Sequence, residues 1–366
     1  MHDWTVREVI QDDLDGIRGL FNIVWGYNRP WSFDQWRYFN GPYGSCPAVV
    51  ALNGSTLVGF YTGLPTKIRV GREIITGIQS MDTLTHPSYQ RQGVFVTLAE
   101  ACYKAAQGRG FELIYGFPNP NSYPGFVNRL NFDHSGNIGD WVRPIRPSGY
   151  LGLPPVLGKA ADVAALVWPK GTCMGFEVRI EKPDAAEIDV LLASWCEDLD
   201  ACCIERTPEW LHWRYSPEAG HDYEWVMVLR AGKVFAAGVW GMRNSTWHQN
   251  ADGRAHLVEL FGTDPAGLEA LLAAIIDRAW LRHAWVIETI TNVRSVTAAL
   301  RRAGFVRHRM APFIIRALAT RVLAGNIHDH ASWRIMGGDM RNHRAQSQCS
   351  KSYRRPVSGN LPAGGC

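Results

Sequence analysis

The sequence predicts a mixed α/β fold (α+β, mixed sheet) built from two tandem copies of one module, the second degenerate. Two observations carry this. The expected order of strand, two helices, hairpin, strand, helix and strand is met twice along the chain. Landmarks also recur at nearly constant spacing: Trp36-Arg37-Tyr38 returns as Trp213-Arg214-Tyr215 177 residues later, Gly54 as Gly232 after 178, and Gly59 as Gly238 after 179. Asn131-Phe132 has its counterpart in Gly304-Phe305 after 173. A length of 366 residues suits two domains. With 46% hydrophobic and 20% charged residues, a disordered chain, a collagen and a coiled coil are excluded.

In chain order, residues 5–9 alternate as a short strand. Asp12-Asp13-Leu14-Asp15 opens a helix with carboxylates at its positive end, and Ile17, Leu20, Phe21 and Val24 form its apolar stripe. Ser32 is expected to cap a second helix holding Phe33, Trp36 and Phe39. Residues 49–52 and 57–62 flank Asn53-Gly54, a strong hairpin turn. Residues 66–70 and 73–78 read as strands around Gly71-Arg72, and residues 79–85 as a strand ending at His86-Pro87. A helix from Val94 follows, with Leu98, Ala101, Cys102 and Ala105 inward.

Residues 151–172 are rich in Gly, Pro and Ala and read as a connection with one short helix over 160–167. Beyond it the pattern restarts. Residues 176–180 form a strand, and 184–196 a helix with Ile188, Leu191, Leu192 and Trp195 on one face. Thr207-Pro208 starts another helix, with Thr as cap and Pro first. Residues 225–229 and 234–240 repeat the hairpin about Ala231-Gly232, and 256–261 form the central strand. The expected units are therefore 1–150, a linker over 151–173, a second module over 174–320, and an extension over 321–366. From about Arg341 the chain is polar and turn-rich and reads as a flexible tail.

Charge and cysteine usage narrow the function. Lys plus Arg at 38 against Asp plus Glu at 34 leaves only +4, with the basic residues spread along the chain, so no nucleic-acid or membrane partner is expected. No apolar run reaches membrane-span length, and Met1-His2-Asp3-Trp4 does not open like a secretory signal, so a cytoplasmic protein is expected. The eight cysteines form no C-x-x-C pair and none has a His at zinc-ligand spacing. They read as free thiols, and no metal site is expected.

Residues 81–100 carry the chemistry. A buried strand runs into the loop Gln90-Arg91-Gln92-Gly93 and then into an amphipathic helix. Such a unit aims the first free amides of the helix, and the positive end of its dipole, at an anion. Gly93 lets phosphates approach the backbone, and Arg91 adds charge from the side. The alternative is an ordinary strand–helix turn whose glycine serves packing.

Gln90-x-x-Gly93-x-Phe95, after Thr85-His86-Pro87 and followed by a strand and Asn131-Phe132, resembles motif A of the GNAT superfamily of acyltransferases, R/Q-x-x-G-x-G/A with a closing Gly-Phe. Gln90 and Gly93 match. Phe95 stands where the family has Gly or Ala, so either its ring points into the core or the pyrophosphate sits differently. Asn131 replaces the closing Gly with a residue that tolerates the same left-handed backbone. The resemblance covers residue 4 to about 135, and more weakly 176 to about 318. In the second copy Gly262-Thr263-Asp264-Pro265 lacks the glycine pattern and carries an acid that repels phosphate. That copy is expected to shape an acceptor site instead. One live and one decayed module together resemble sugar N-acyltransferases that modify nucleotide-linked amino sugars.

The resemblance implies acetyl-CoA or another acyl-CoA as co-substrate, cradled by Gln90, Arg91, Gln92, Gly93, Val94 and Phe95. It places the thioester on the backbone of Thr83, Leu84 and Thr85, and the pantetheine arm near Asn121 and Ser122. In direct transfer a deprotonated amine attacks the thioester, a fixed N–H holds the oxyanion, and an acid protonates the thiolate. The family's tyrosine for that last role falls at Val127. Tyr123, one turn earlier, is the substitute, or else a packed rim residue. Asp82, a carboxylate in an apolar strand, is the base candidate; alternatively it faces solvent or pairs with an arginine. His86, His134 and Glu259 are further candidates. The Trp-Arg-Tyr sets anchor helix to sheet or stack on a sugar, and Trp25, Tyr27, Trp31 and Tyr43 are possible rim contacts.

The favoured reading is an acyl-CoA-dependent N-acyltransferase of acetyl or short acyl groups, a monomer or homodimer, acting on a small-molecule primary amine. The alternatives are a non-catalytic acyl-CoA sensor or interaction protein, and a Fem-like aminoacyltransferase, against which the modest charge argues.

Overall fold

The structure is a computed structural model that describes residues 3–26, 28–195, 201–243, 253–262, 264–319, 321 and 326–340. The first run of elements is β1 (Thr5–Glu8), α1 (Leu14–Trp25), α2 (Trp31–Tyr38), β2 (Ala48–Asn53), β3 (Thr56–Val70), β4 (Glu73–Thr85), α3 (Val94–Gly108), β5 (Leu113–Gly116), α4 (Tyr123–Arg129) and β6 (Asp133–Pro144). Helices α5 (Pro147–Leu151) and α6 (Pro155–Leu166) lead to the second run. That run is β7 (Glu177–Arg179), α7 (Ala185–Trp195), β8 (Cys202–Ile204), α8 (Pro208–Arg214), β9 (Asp222–Arg230), β10 (Lys233–Met242), β11 (Arg254–Phe261), α9 (Pro265–Leu281), β12 (Val286–Thr291), α10 (Arg294–Arg302) and β13 (Val306–Ala317). Leaving out the short β8, the order is the same in both. The extension adds β14 (Trp333–Arg334). The tail expected from Arg341 lies outside the described residues, as does Tyr27.

All the strands join one sheet, in the order β1-β2-β3-β4-β5-β13-β6-β12-β11-β10-β9-β7, with β8 and β14 attached beside β3. The closing strands are exchanged between the runs. β13 lies antiparallel between β5 and β6, and β6 lies between β13 and β12. Separating the two runs would therefore break backbone ladders on both sides of the junction, not merely an apolar contact.

Helices cover both faces. On the first run, α1 and α2 bury Leu14, Ile17, Leu20, Phe33 and Trp36 against Val50, Phe60, Leu64 and Leu84. On the opposite face α3 and α4 bury Val94, Leu98 and Phe126 against Val49, Ala51, Tyr61 and Ile78. The side chains of β2 thus divide between the faces, as a pleated strand requires. The repeated glycines mark close helix–sheet approach: a Cβ on Gly59 would lie 2.7 Å from both Val94 and Leu98 of α3, and one on Gly238 3.2 Å from Ile275 of α9.

Three expectations need correction. The strands read over 57–62 and 66–70 are one, β3, which runs through Pro65, and those over 73–78 and 79–85 are one, β4. Gly63 N–H donates to Pro47 O just before β2 begins, so two residues on, the missing N–H of Pro65 points past the start of β2 and costs no ladder bond. Helix α2 starts at Trp31 with Pro30 as its N-cap, so Ser32 lies inside it. The linker helix begins at Pro155 rather than 160 and is preceded by α5. Thr207 caps α8 as expected, accepting from Trp210 N–H at 3.2 Å. Asn131 has φ 51° and Gly304 φ 76°, so both closing turns use a left-handed residue.

The two Trp-Arg-Tyr sets meet each other. The Trp36 and Trp213 rings stack with centroids 4.6 Å apart. Each indole N–H donates to the other's carbonyl, at 3.2 and 3.4 Å. The stack takes one face of each ring. Among the described residues no helix is long and apolar enough to cross a membrane, no His/Cys/Asp/Glu group could hold a metal, and Cys46, Cys102, Cys173, Cys202 and Cys203 are free.

Candidate functional site

β4 and β5 are parallel neighbours for only three residues, Gly77–Gln79 against Leu113–Tyr115. β4 then continues to Thr85 with β3 on one side, and no described strand pairs its other edge. The result is a gap along residues 80–85. At its apex Ser80 stands beside Gly116, where a Cβ would make ordinary contact with Ser80 at 3.5 Å. The Tyr61 hydroxyl hydrogen-bonds both Ser80 Oγ, at 2.5 Å, and the Tyr103 hydroxyl, at 2.8 Å.

A bulge shapes this edge. Phe60 pairs with Leu84 and Thr62 with Met81, leaving Asp82 and Thr83 opposite Tyr61 alone. Asp82 sits at φ 48°. The extra residue puts both Met81 and Asp82 on the α1–α2 side of the sheet. Leu84 is buried on that side too, which leaves only its backbone free for the gap, while Thr83 and Thr85 are half-buried.

Beyond β4, His86 Nδ1 accepts from Ser88 N–H at 3.2 Å and braces a turn, which is a structural task. Gln90, Arg91, Gln92 and Gly93 are all exposed. Arg91 at φ 63° and Gly93 at φ 84° bracket Gln92, an alternation that gathers successive amides into a concavity. Gly93 is the N-cap of α3 and offers no side-chain cap, so the first amides of the helix keep their donors. A Cβ on Gly93 would meet nothing within 4 Å. The bend is open, not filled by a neighbour. Val94 points into the core, which leaves its amide as its one possible contribution.

Phe95 resolves the departure from the motif. Its ring turns inward over Gly125, where a Cβ would be 2.6 Å away, and meets Phe126 edge-on at 5.2 Å. Tyr123 begins α4 and packs against the core shared with α3, and its hydroxyl lies 3.2 Å from His134 Nδ1, whose Nε2 is 3.3 Å from Asn137 Nδ2. Ser122 and the exposed Asn121 both donate backbone N–H to Asn119 Oδ1 at 2.9 Å. Asn119 was not singled out by the sequence, although an Asn whose side chain accepts from amides two and three residues on is a common turn-former.

Asp82 takes the arginine-paired of its two alternatives. Its carboxylate accepts from Tyr38 O–H at 2.6 Å and pairs with Arg29 at 3.1 Å and Arg37 at 3.6 Å, while Arg29 also pairs with Asp34 at 2.6 Å. The Asp82 side chain has no exposed surface. A base must reach the proton that it removes, and this carboxylate faces cations inside the fold.

The second copy builds a counterpart. Arg206, Arg214, Tyr215 and Glu259 stand 177 residues after Arg29, Arg37, Tyr38 and Asp82. Tyr215 O–H donates to Glu259 at 2.7 Å, and Arg206 lies 3.4 Å from Glu259. Burial pushes the Glu259 carboxyl up to about 7, with Asp339 adding to the shift and Arg206 opposing it. Glu259 is fully buried and does not line the first gap. The spacing that marks Trp36 and Trp213 would have found both arginine pairs. Helix α9 differs from α3 at its start, because Asp264 caps it and accepts from Gly267 N–H at 2.6 Å.

Of the rim aromatics, Trp31 is 46% exposed and, with Gln35, His212, Glu218 and the stacked Trp36 and Trp213 themselves, lines a groove. Tyr43 instead bonds Thr207 at 2.9 Å, and Trp25 packs against the α1 core.

Comparison with known proteins agrees with this geometry. Residues 5–135 match the family model described as acetyltransferase (GNAT) domain. No curated protein matches the sequence. Among solved structures, a probable N-acyltransferase from Enterococcus faecalis is 12% identical at TM-score 0.61, over 86% of this chain and 73% of that one. A Saccharomyces cerevisiae N-myristoyltransferase with bound myristoyl-CoA is 13% identical at TM-score 0.61, over 86% and 79%. A tandem GNAT protein from the clavulanic acid biosynthesis pathway is 12% identical at TM-score 0.58, over 87% of this chain and all of that one. At such identities the likeness is one of fold. Residues 5–135 of this chain thus match a GNAT acetyltransferase domain, and the chain as a whole has a mixed α/β fold that recurs in solved N-acyltransferases.

Proposed function

We propose that the protein is an acyl-CoA-dependent N-acyltransferase that uses the first run of elements for acyl-CoA and passes an acetyl or short acyl group to a primary amine. The observation that carries this is an open, uncapped helix start at Gly93 beside an unpaired strand edge. The amides of residues 90–95 would hold the diphosphate, with Arg91 beside them. The backbone of residues 83–85 would hold the thioester carbonyl and the oxyanion that forms there. The neutral amine nitrogen attacks the carbonyl carbon, the C–S bond breaks, and the CoA thiolate takes a proton from Tyr123, which His134 orients. The proton lost by the amine nitrogen passes to solvent water, which returns one to Tyr123. Free cysteines fit a reducing, cytoplasmic setting. A nucleotide-linked amino sugar is the acceptor we would try first.

Calorimetry with acetyl-CoA and a thiol-release assay over a panel of amines test this. Gly93→Val should lose most acetyl-CoA affinity while keeping the circular dichroism of the wild type. Unchanged affinity would remove the loop from the site. The burial of Asp82 favours one second reading, an acyl-CoA sensor without turnover. Binding with no thiol release on any amine would establish it.

A further inference from the structure

The second copy repeats the strand gap of the first. β11 and β12 pair in parallel for three residues, 254–256 against 286–288, and β11 then runs on to Phe261 with a bulge at Val258. Here, however, the chain itself lies in the gap. Met336 bridges to Thr291 at the end of β12. A Cβ on Gly337 would be 3.0 Å from Leu257 O and 3.1 Å from Val258 Cα on β11, and one on Gly338 2.1 Å from Glu259 Oε1 and 2.3 Å from the Tyr215 hydroxyl. Residues 336–340 are all buried. Arg214 donates to Gly338 O at 3.3 Å and Met340 O at 3.1 Å, and Asp339 pairs with Arg206 at 2.7 Å.

Charge explains why this segment fits. The first cluster sets Asp34 and Asp82 against Arg29 and Arg37. The second keeps both arginines and Glu259, but Leu211 stands 177 residues after Asp34. Asp339 supplies the absent acid.

We propose that residues 336–340 are a built-in occupant of the second gap, lying where an acyl-thioester arm would lie, so that the chain binds acyl-CoA at the first gap alone. The stoichiometry rests on the function proposed above; the occupancy does not. The segment also ties the two gaps together, since Gln79, the last β4 residue paired to β5, donates its side-chain N–H to Asp339 O at 2.5 Å.

Hydrogen exchange on the full chain tests the occupancy, with acetyl-CoA calorimetry beside it. The amides of 336–340 should exchange far more slowly than those of a free peptide. Gly338→Val should abolish that protection while β2 and β3 stay protected. Should Gly338→Val fail to fold, Asp339→Asn serves in its place and should cut the protection at least severalfold. Fast exchange in the wild type, or protection unmoved in the folded variants, overturns the proposal, as does binding of two acetyl-CoA per wild-type chain. Binding of none would count against the acyl-CoA reading and leave the exchange result to decide the occupancy.

Discussion

Asp82 sits inside the fold with two guanidinium groups and a phenol, so its removal is first a structural event. Asp82→Ala strands Arg29 and Arg37 without their shared anion, and we expect a loss of about 3–5 kcal/mol in urea unfolding. Asp82→Asn keeps the shape. If Asp82 only positions the bulge, its turnover should fall together with acyl-CoA affinity, with no lost limb in the pH–rate profile. An isolated fall in kcat would restore it as a base. Glu259 yields a prediction of pH dependence. Its folded carboxyl lies near about 7 against an ordinary 4.5, so the folded protein holds a proton that the unfolded chain gives up between those values. That contribution to stability is complete below about 4.5 and is lost as pH rises through about 7. Asp339 is pushed in the same direction by burial. Glu259→Gln should therefore flatten the decline in unfolding midpoint across this window.

At the scale of elements, α3 and α4 are matched through one contact. The Phe95 ring fills the space that a side chain at 125 would need. Gly125→Val should displace α4 and with it Tyr123, lowering both thermal stability and turnover. Phe95→Ala should recover much of this in the double variant, a coupling that a double-mutant cycle would read as strongly non-additive. The start of α3 is a separate matter. Gly93 has room but an unfavourable φ, so Gly93→Ala should cost about 1–2 kcal/mol of stability. Larger losses of acetyl-CoA affinity than of stability would assign the position to the ligand.

At the scale of the molecule, the stacked Trp36–Trp213 pair and the exchanged β6 and β13 make one folding unit of two similar runs. Trp36→Ala should cost about 3–5 kcal/mol, and adding Trp213→Ala much less than that again, because the first change already removes the contact. Much of this organisation is visible in the sequence. The constant spacing of Trp-Arg-Tyr and the hairpin glycines marks the repeat, and Thr207-Pro208 marks a helix start. The exchange of closing strands is not visible, because β6 and β13 keep the same alternation whichever partner they pair with. The bulge at Asp82 is equally hidden, since one extra residue changes the face of a side chain without changing its type.

The sequence alone determined the two runs of elements, their helix faces, and the glycine bend after the central strand, since these follow from local periodicity and backbone preference. Tertiary structure alone decided that Asp82 would be held by arginines 53 and 45 residues before it, that Phe95 would turn inward, and that residues 336–340 would lie in the second gap. Those outcomes depend on contacts between segments far apart in the chain, and a carboxylate, a ring or a glycine pair carries no local mark of the partner that it will meet.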